Sequence, residues 1–316
     1  KNDLIEALFE EFYEREDEGF HALVESYGGK KEDSNLQDMI LMIYDFIQSN
    51  PWPKEWLKEQ VDIFNPERNE DFDATLWADM IKGQIRTEAQ GLLEIADYAL
   101  SLCYEPNGPE KYIEAIEDDI RILKKIIALS EGSIGDLYSY IQQITFSTLG
   151  RCGKNTDPNL KEEVNNLRKI VKEGVQKGFQ EKIFFKSPEA MMEDVHKVFP
   201  ILKALERVIH EFSDRFQSAK KEMGVIDFND IEHYCLKILL DEKSTPQNIV
   251  PSLTALDLRE KYKEILIDEY QDSNLVQETI LGVISKKDTA YPNRFMVGDV
   301  KQSIYRFRLA KPDLFI

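Results

Sequence analysis

The stretch ILIDEYQD at residues 265–272 constrains the fold more than any other part of the chain. Its apolar run, KEILI at residues 263–267, is followed at once by two adjacent acids, Asp268 and Glu269. An apolar run of this length, bounded by charges, is typical of a buried strand in a parallel sheet. Because ligands bind at the carboxyl edge of open α/β sheets, the strand would deliver both acids to a binding edge.

Two acids at a strand end suit phosphate chemistry. Asp268 offers the hard oxygen atoms that Mg²⁺ prefers, usually through water, and Glu269 can polarise a water that attacks a terminal phosphate. An ordinary strand end followed by a solvated acidic turn has the same pattern, so this stretch alone leaves both interpretations open.

A second apolar run, RFMV at residues 294–297, predicts another buried strand, which we expect to lie beside and parallel to residues 263–267. Gly298 follows it and allows a tight turn beside a phosphate. Gln302 can donate and accept hydrogen bonds, so it can sense a terminal phosphate.

Aromatic and basic residues alternate after this turn. Tyr305 and Phe307 offer flat faces to unpaired bases, each worth about 1–3 kcal/mol per stacked base. Arg306 and Arg308 suit phosphates. The alternative is a Tyr/Phe pair that packs on a sheet edge, with the arginines in solvent.

Together, DEYQD and VGDVKQSIYRFR closely resemble motifs II and III of the UvrD/Rep/RecB-type superfamily 1 helicases. VIDFNDI at residues 225–231 resembles the segment before motif II in that family. The resemblance covers nearly the whole chain and is strongest from about residue 220. Residues 20–57 and the form of motif III are most similar to the helicase–nuclease branch called AddA or RexA.

This resemblance implies a role for each matching residue. Asp268 would bind Mg²⁺ through water, Glu269 would be the catalytic base, and Gln302 would couple the γ-phosphate of ATP to DNA. Gly298 and Asp299 would lie on the nucleotide-phosphate side with them.

The DNA side is implied in the same way. Ser303, Tyr305 and Phe307 would contact single-stranded DNA, and Arg308 would link the DNA and nucleotide sites. Relatives often have tryptophan where Phe307 stands, and phenylalanine stacks with less area.

Most of the first 240 residues have apolar side chains at helical spacing. We therefore predict a mainly α chain. In the terms of the resembling family, residues 1–218 would be the helical insertion domain 1B. Residues 219–316 would be the C-terminal part of the RecA-like domain 1A, with a short parallel sheet. Ser187-Pro188-Glu189 predicts a helix start, and Pro200 is expected to kink or interrupt that helix.

Asp227 and Asp230 lie at the start of another predicted helix. We interpret them as an N-cap pair, with packing around Phe228, rather than as metal ligands.

Composition limits the setting. The net charge of −19 argues against a broad basic surface for nucleic acid, although a narrow track remains possible. The three cysteines form no CxxC pair, so a reducing cytoplasm fits. As partners, the resemblance implies single- and double-stranded DNA and a second protein of the AddB/RexB type, with no membrane. The implied role is double-strand-break repair and recombination.

The sequence contains no GxxxxGK[ST] loop to hold nucleotide phosphates, and GRCGKN at residues 150–155 has the wrong spacing. The chain also starts at Lys1, which suggests a piece of a longer ATP-dependent helicase with exonuclease activity. We expect the piece alone neither to hydrolyse ATP nor to unwind or cut DNA. The alternatives are an interaction module that binds AddB or duplex DNA, and a UvrD-like helicase without a nuclease.

Overall fold

The computed structural model describes residues 1–29, 33–68, 71–286 and 291–302, which are mainly helical with a short parallel sheet. The predicted fold class is therefore confirmed. The α-helices in chain order are α1 (Asn2–Glu14), α2 (Glu18–Tyr27), α3 (Ser34–Ile47), α4 (Pro53–Asp62), α5 (Leu76–Cys103), α6 (Ile113–Leu129), α7 (Ile134–Gln142), α8 (Pro158–Glu173), α9 (Pro188–Met223), α10 (Phe228–Leu239), α11 (Leu253–Lys261) and α12 (Leu275–Ile284). A π-helix, Gly174–Ile183, follows α8. The strands are β1 (Ile265–Ile267) and β2 (Arg294–Met296).

The chain divides into two compact units. One combines Lys1–Ile63 with the described residues from Phe199 onward, and the other is Phe64–Val198. These units are defined by packing alone. The assignment of residues 1–218 and 219–316 to two functional domains of a larger motor stays a prediction.

The unit formed by Phe64–Val198 is built on the long helix α5, which packs against α6 and α8. Ile85, Ala89 and Ala96 lie on its buried face. A buried ion pair joins the other two helices: Arg168 Nε lies 2.6 Å from Asp119 Oδ2. Removing one member of such a pair leaves an uncompensated buried charge, which costs about 3–5 kcal/mol.

The other unit has an aromatic core. Phe12 stacks on Phe20 with ring centroids 5.0 Å apart, and Tyr44 meets Phe212 edge to face at 5.1 Å. The first three residues come from the N-terminal helices and Phe212 comes from α9, so this core fixes the later part of α9 against the start of the chain. A smaller core formed by Leu239, Ala255 and Val283 holds α10, α11 and α12 together.

The helix that begins at Pro188 follows its prediction, except at Pro200. Ser187 Oγ accepts a hydrogen bond from the backbone N–H of Ala190, as expected of a helix start. The helix assignment continues through Pro200, so an interruption there is wrong. Proline removes one backbone donor. Burial of the next turn, where Ala204 and Leu205 join the aromatic core, offsets that loss.

The start of α10 bears out half of its prediction. Asp227 and Asp230 form a reciprocal capping box, so the N-cap interpretation is confirmed. The expected packing around Phe228 is wrong, because this side chain is 88% exposed. Along the described residues, no helix is both long and apolar enough to span a bilayer.

Candidate nucleotide-hydrolysis site

The two predicted strands pair in parallel, as expected. Ile265, Leu266 and Ile267 lie opposite Arg294, Phe295 and Met296. The hydrogen-bonded contact continues past the strands. The Val297 N–H donates to the Ile267 carbonyl at 2.9 Å, and the Tyr270 N–H donates to the Val297 carbonyl at 2.9 Å. This pairing brings the acids after β1 and the glycine turn after β2 to one sheet edge.

The expectation that both strands are buried is wrong for the described residues. Leu266 is 71% exposed and Phe295 is 62% exposed. Only two strands pair in the described part of the chain, and a sheet this narrow leaves much of its faces uncovered. The apolar composition therefore predicted the strands correctly but not their burial.

The turn after β1 holds the two predicted hydrolytic residues in different ways. Asp268 is exposed, and its Oδ1 accepts a hydrogen bond of 2.9 Å from the Glu269 N–H. Glu269 has φ 50° and ψ 40°, a left-handed conformation that is uncommon outside glycine. Holding a non-glycine residue there costs on the order of 1–3 kcal/mol, and such strain is concentrated at functional sites.

A buried cluster anchors this turn. Arg294 from β2 donates through Nη1 to Glu278 Oε1 at 2.9 Å, and the Tyr270 hydroxyl donates to Glu278 Oε2. Burial, with the hydrogen bond to Glu278, raises the pKa of Tyr270 to about 12. Burial alone would lower the pKa of Arg294, but its hydrogen bonds to Glu278 raise it. Strand β2, helix α12 and the acidic turn are thus tied together.

Gln271 occupies the space between the two turns. It is 1% exposed; its Nε2 donates to Glu269 Oε2 at 2.6 Å and its Oε1 accepts from the Asp299 N–H at 3.0 Å. A Cβ added at Gly298 would lie 2.4 Å from Gln271 Oε1. Close approach of Gln271 therefore accounts for glycine at this position in the structure, whereas the sequence suggested the close approach of a phosphate.

The residues after Gly298 form a short polar turn. Asp299 Oδ1 accepts from the Lys301 N–H at 2.9 Å, and Asp299 Oδ2 accepts from Gln302 Nε2 at 3.0 Å. Gln302 is exposed. The predicted DNA contacts Ser303, Tyr305, Phe307 and Arg308 lie outside the described residues.

Sequence reasoning named Asp268, Glu269, Gly298, Asp299 and Gln302, and the structure brings all five to one edge. It missed Gln271, Tyr270, Glu278 and Arg294. The first two lie within the DEYQD stretch itself, and a neutral amide between acids was a usable signal. Glu278 and Arg294 gave no local signal, because their pairing depends on the strand register.

The donor set can be tested against Mg²⁺. Among the described residues, no group of three or more His, Cys, Asp or Glu side chains could hold a metal alone. Mg²⁺ is usually held by one or two carboxylates, with water and substrate phosphates completing its shell. An exposed Asp268 beside Glu269 fits that mode and does not fit a closed protein cage.

Residues 110–316 match the family model of the UvrD/REP helicase N-terminal domain. The match covers more than half of the chain, so the chain belongs to this family of helicase domains. Among its curated relatives is an ATP-dependent helicase/nuclease subunit of Acetivibrio thermocellus, 42% identical over 320 residues. The proteins of the same name from Ruminiclostridium cellulolyticum and Alkaliphilus metalliredigens are 41% and 44% identical over 320 and 312 residues. These alignments cover 99–100% of this chain and 25–26% of each relative. The chain therefore spans about a quarter of their length.

Proposed function

We propose that this chain is part of an AddA-type ATP-dependent helicase/nuclease subunit, of which it carries the hydrolysis end of the DNA motor. The observation that carries the proposal is the pairing of β1 with β2, which brings Asp268 and Glu269 to the same edge as Gly298, Asp299 and Gln302. The family match and the names of the relatives support the same assignment.

In this proposal ATP binds at the sheet edge with Mg²⁺. Mg²⁺, when bound, neutralises charge that develops on the phosphate oxygens. Asp268 accepts hydrogen bonds from water of the metal shell, and Glu269 orients and polarises the attacking water. Gln302 reads the γ-phosphate through its side-chain amide.

DNA and a second protein complete the proposal. Tyr305 and Phe307 stack on single-stranded bases, Ser303 contacts the strand, and Arg308 joins the DNA side to the nucleotide side. The further partners are duplex DNA and a protein of the AddB/RexB type, and the cytoplasm is the compartment. The biological role is recombination and repair of double-strand breaks.

The test is Glu269→Gln in a full-length AddA-type protein that carries this segment. The substitution removes the base and keeps the size of the side chain. We expect DNA-stimulated ATP hydrolysis to fall by about 10²- to 10⁴-fold, while ATP binding is retained. Glu264→Gln is the matched control, since Glu264 is exposed just before β1 and takes no part in the site. Hydrolysis by Glu269→Gln at the rate of the control would refute the assignment.

A further inference from the structure

A continuous series of hydrogen bonds joins Gln302 to Glu269. Gln302 Nε2 donates to Asp299 Oδ2 at 3.0 Å, and the Asp299 N–H donates to Gln271 Oε1 at 3.0 Å. Gln271 Nε2 then donates to Glu269 Oε2 at 2.6 Å. The series crosses from the turn after β2 to the turn after β1, so it connects two loops that are far apart in sequence.

The partners of Gln271 fix which way its amide points. A backbone N–H can only donate, so the atom facing Asp299 must be the oxygen. An ionised carboxylate can only accept, so the atom facing Glu269 must be the nitrogen. Only an amide side chain presents an acceptor at one end and donors at the other in this way. Glutamate at position 271 would lose the donor, and methionine would lose both functions.

The surroundings leave Gln271 little freedom to move. The side chain is 1% exposed, and the position of a Cβ on Gly298 would be 2.4 Å from its Oε1 and 3.2 Å from its backbone nitrogen. The Tyr270 N–H is held by the Val297 carbonyl at 2.9 Å. A shift of the loop that contains Asp299 therefore displaces the Gln271 amide instead of being absorbed by empty space.

We propose that Gln271 is a positioning residue that couples the loop at residues 298–302 to the carboxylate of Glu269. The inference rests on the proposed function, in which Glu269 is the catalytic base and the loop faces nucleotide and DNA. Glu269 is also held in a left-handed conformation, and its Oε2 accepts from Gln271. Loop movement on DNA binding would thereby reorient the base and set the rate of hydrolysis.

The test compares Gln271→Glu and Gln271→Met with the unsubstituted full-length protein. Gln271→Glu is nearly isosteric and keeps the acceptor for Asp299, but it places a second carboxylate against Glu269. We expect kcat at saturating single-stranded DNA to fall by about 10- to 100-fold in both variants, because a misplaced base loses the attacking geometry. The KM for ATP should change by less than about twofold, since nucleotide binding is not altered.

Gln180→Met is the matched control. Gln180 is half-buried and donates to the Ile141 carbonyl at 2.7 Å, within the unit formed by Phe64–Val198. It should leave kcat and KM unchanged. In the present chain, hydrogen exchange at the Asp299 amide should speed up in Gln271→Met and stay slow in Gln271→Glu, which shows whether the loop remains folded.

The outcomes separate the two proposals. Inactive Glu269→Gln with fully active Gln271 variants would overturn the coupling and leave the proposed function standing. Active Glu269→Gln would overturn the proposed function itself. If Gln271→Met fails to fold, Gln271→Glu decides: a wild-type kcat, or a KM that rises in step with the loss of kcat, contradicts the coupling.

Discussion

At the scale of single residues, the site depends on close approach between two turns. Gln271 lies against Gly298, and Glu269 holds a strained backbone conformation beside it. Strain of this kind persists only where surrounding contacts over-determine it. Here the Tyr270 hydroxyl and Arg294 converge on Glu278 directly behind the turn. The local geometry therefore requires both a glycine at 298 and an intact cluster around Glu278.

Gly298→Ala should destabilise the chain. The added Cβ would lie 2.4 Å from Gln271 Oε1 and 3.2 Å from the backbone nitrogens of Gln271 and Tyr270, so the loop has to shift. Overpacking of this kind costs about 1–3 kcal/mol. Chemical denaturation of the chain measures the loss of unfolding free energy.

Gly282→Ala is the control for that experiment. Gly282 lies in α12 and a Cβ there would meet nothing within 4 Å. Alanine favours helix over glycine by about 1 kcal/mol, so this variant should be neutral or more stable. Equal stability of Gly298→Ala and the wild type would contradict the close contact between the turns.

At the scale of elements, α9 and α10 are joined by a buried charge cluster. Lys220 Nζ lies 2.7 Å from Asp230 Oδ1 and 2.8 Å from Asp227 Oδ2, and Gln217 Nε2 also donates to Asp230 Oδ1 at 2.9 Å. Burial alone would raise the pKa of Asp230, but the hydrogen bonds from Lys220, the Asp227 N–H and Gln217 lower it below its ordinary value. The cluster fixes where α10 starts.

Asp230→Asn should lower stability in a pH-dependent way. An aspartate whose pKa is lower in the folded state adds stability above its unfolded pKa, and that stability is lost as pH falls through the folded value. At pH 7 we expect a loss of about 3–5 kcal/mol, because Lys220 is left without a buried anion. The difference from wild type should narrow below about pH 4.

Denaturation curves at about pH 7 and about pH 3, on either side of the ordinary aspartate pKa, provide the measurement. Asp257→Asn, a substitution in α11 at an exposed position, controls for the general effect of removing one negative charge. A loss of the same size at both pH values would show that the ion pair is not the source of stability.

The predictions from sequence succeeded where local pattern determines structure. The apolar runs before Asp268 and Gly298 predicted the parallel strand pair, and the Asp227/Asp230 spacing predicted the capping box. They failed where the outcome depends on tertiary packing. The exposure of Phe228 and Leu266 and the helix through Pro200 are set by which neighbours are present. The link from Gln271 to Asp299 depends on the register of two strands and could not be seen in either stretch.

At the scale of the whole molecule, the described residues hold the carboxylate end of a nucleotide site but no phosphate-gripping GxxxxGK[ST] sequence. Lack of ATP hydrolysis by this chain alone stays a prediction. Within the unit that contains the sheet, the N-terminal helices are tied to α12 and α10: the Val276 N–H donates to the Ser49 carbonyl, and His233 Nε2 lies 2.9 Å from the Gln48 carbonyl. The helical start of the chain and the element after the acidic turn therefore share one packed unit.

In the proposed motor, Asp268 and Glu269 perform the hydrolytic step that DNA stimulates. A crystal structure of the full-length protein with Mg²⁺, a non-hydrolysable ATP analogue and single-stranded DNA tests this role most directly. The proposal predicts a water in line with the γ-phosphate and about 2.6–3.2 Å from the Glu269 carboxylate, with Asp268 joined to the metal through water. Nucleotide phosphates bound away from this sheet edge, with another carboxylate holding the attacking water, would contradict it.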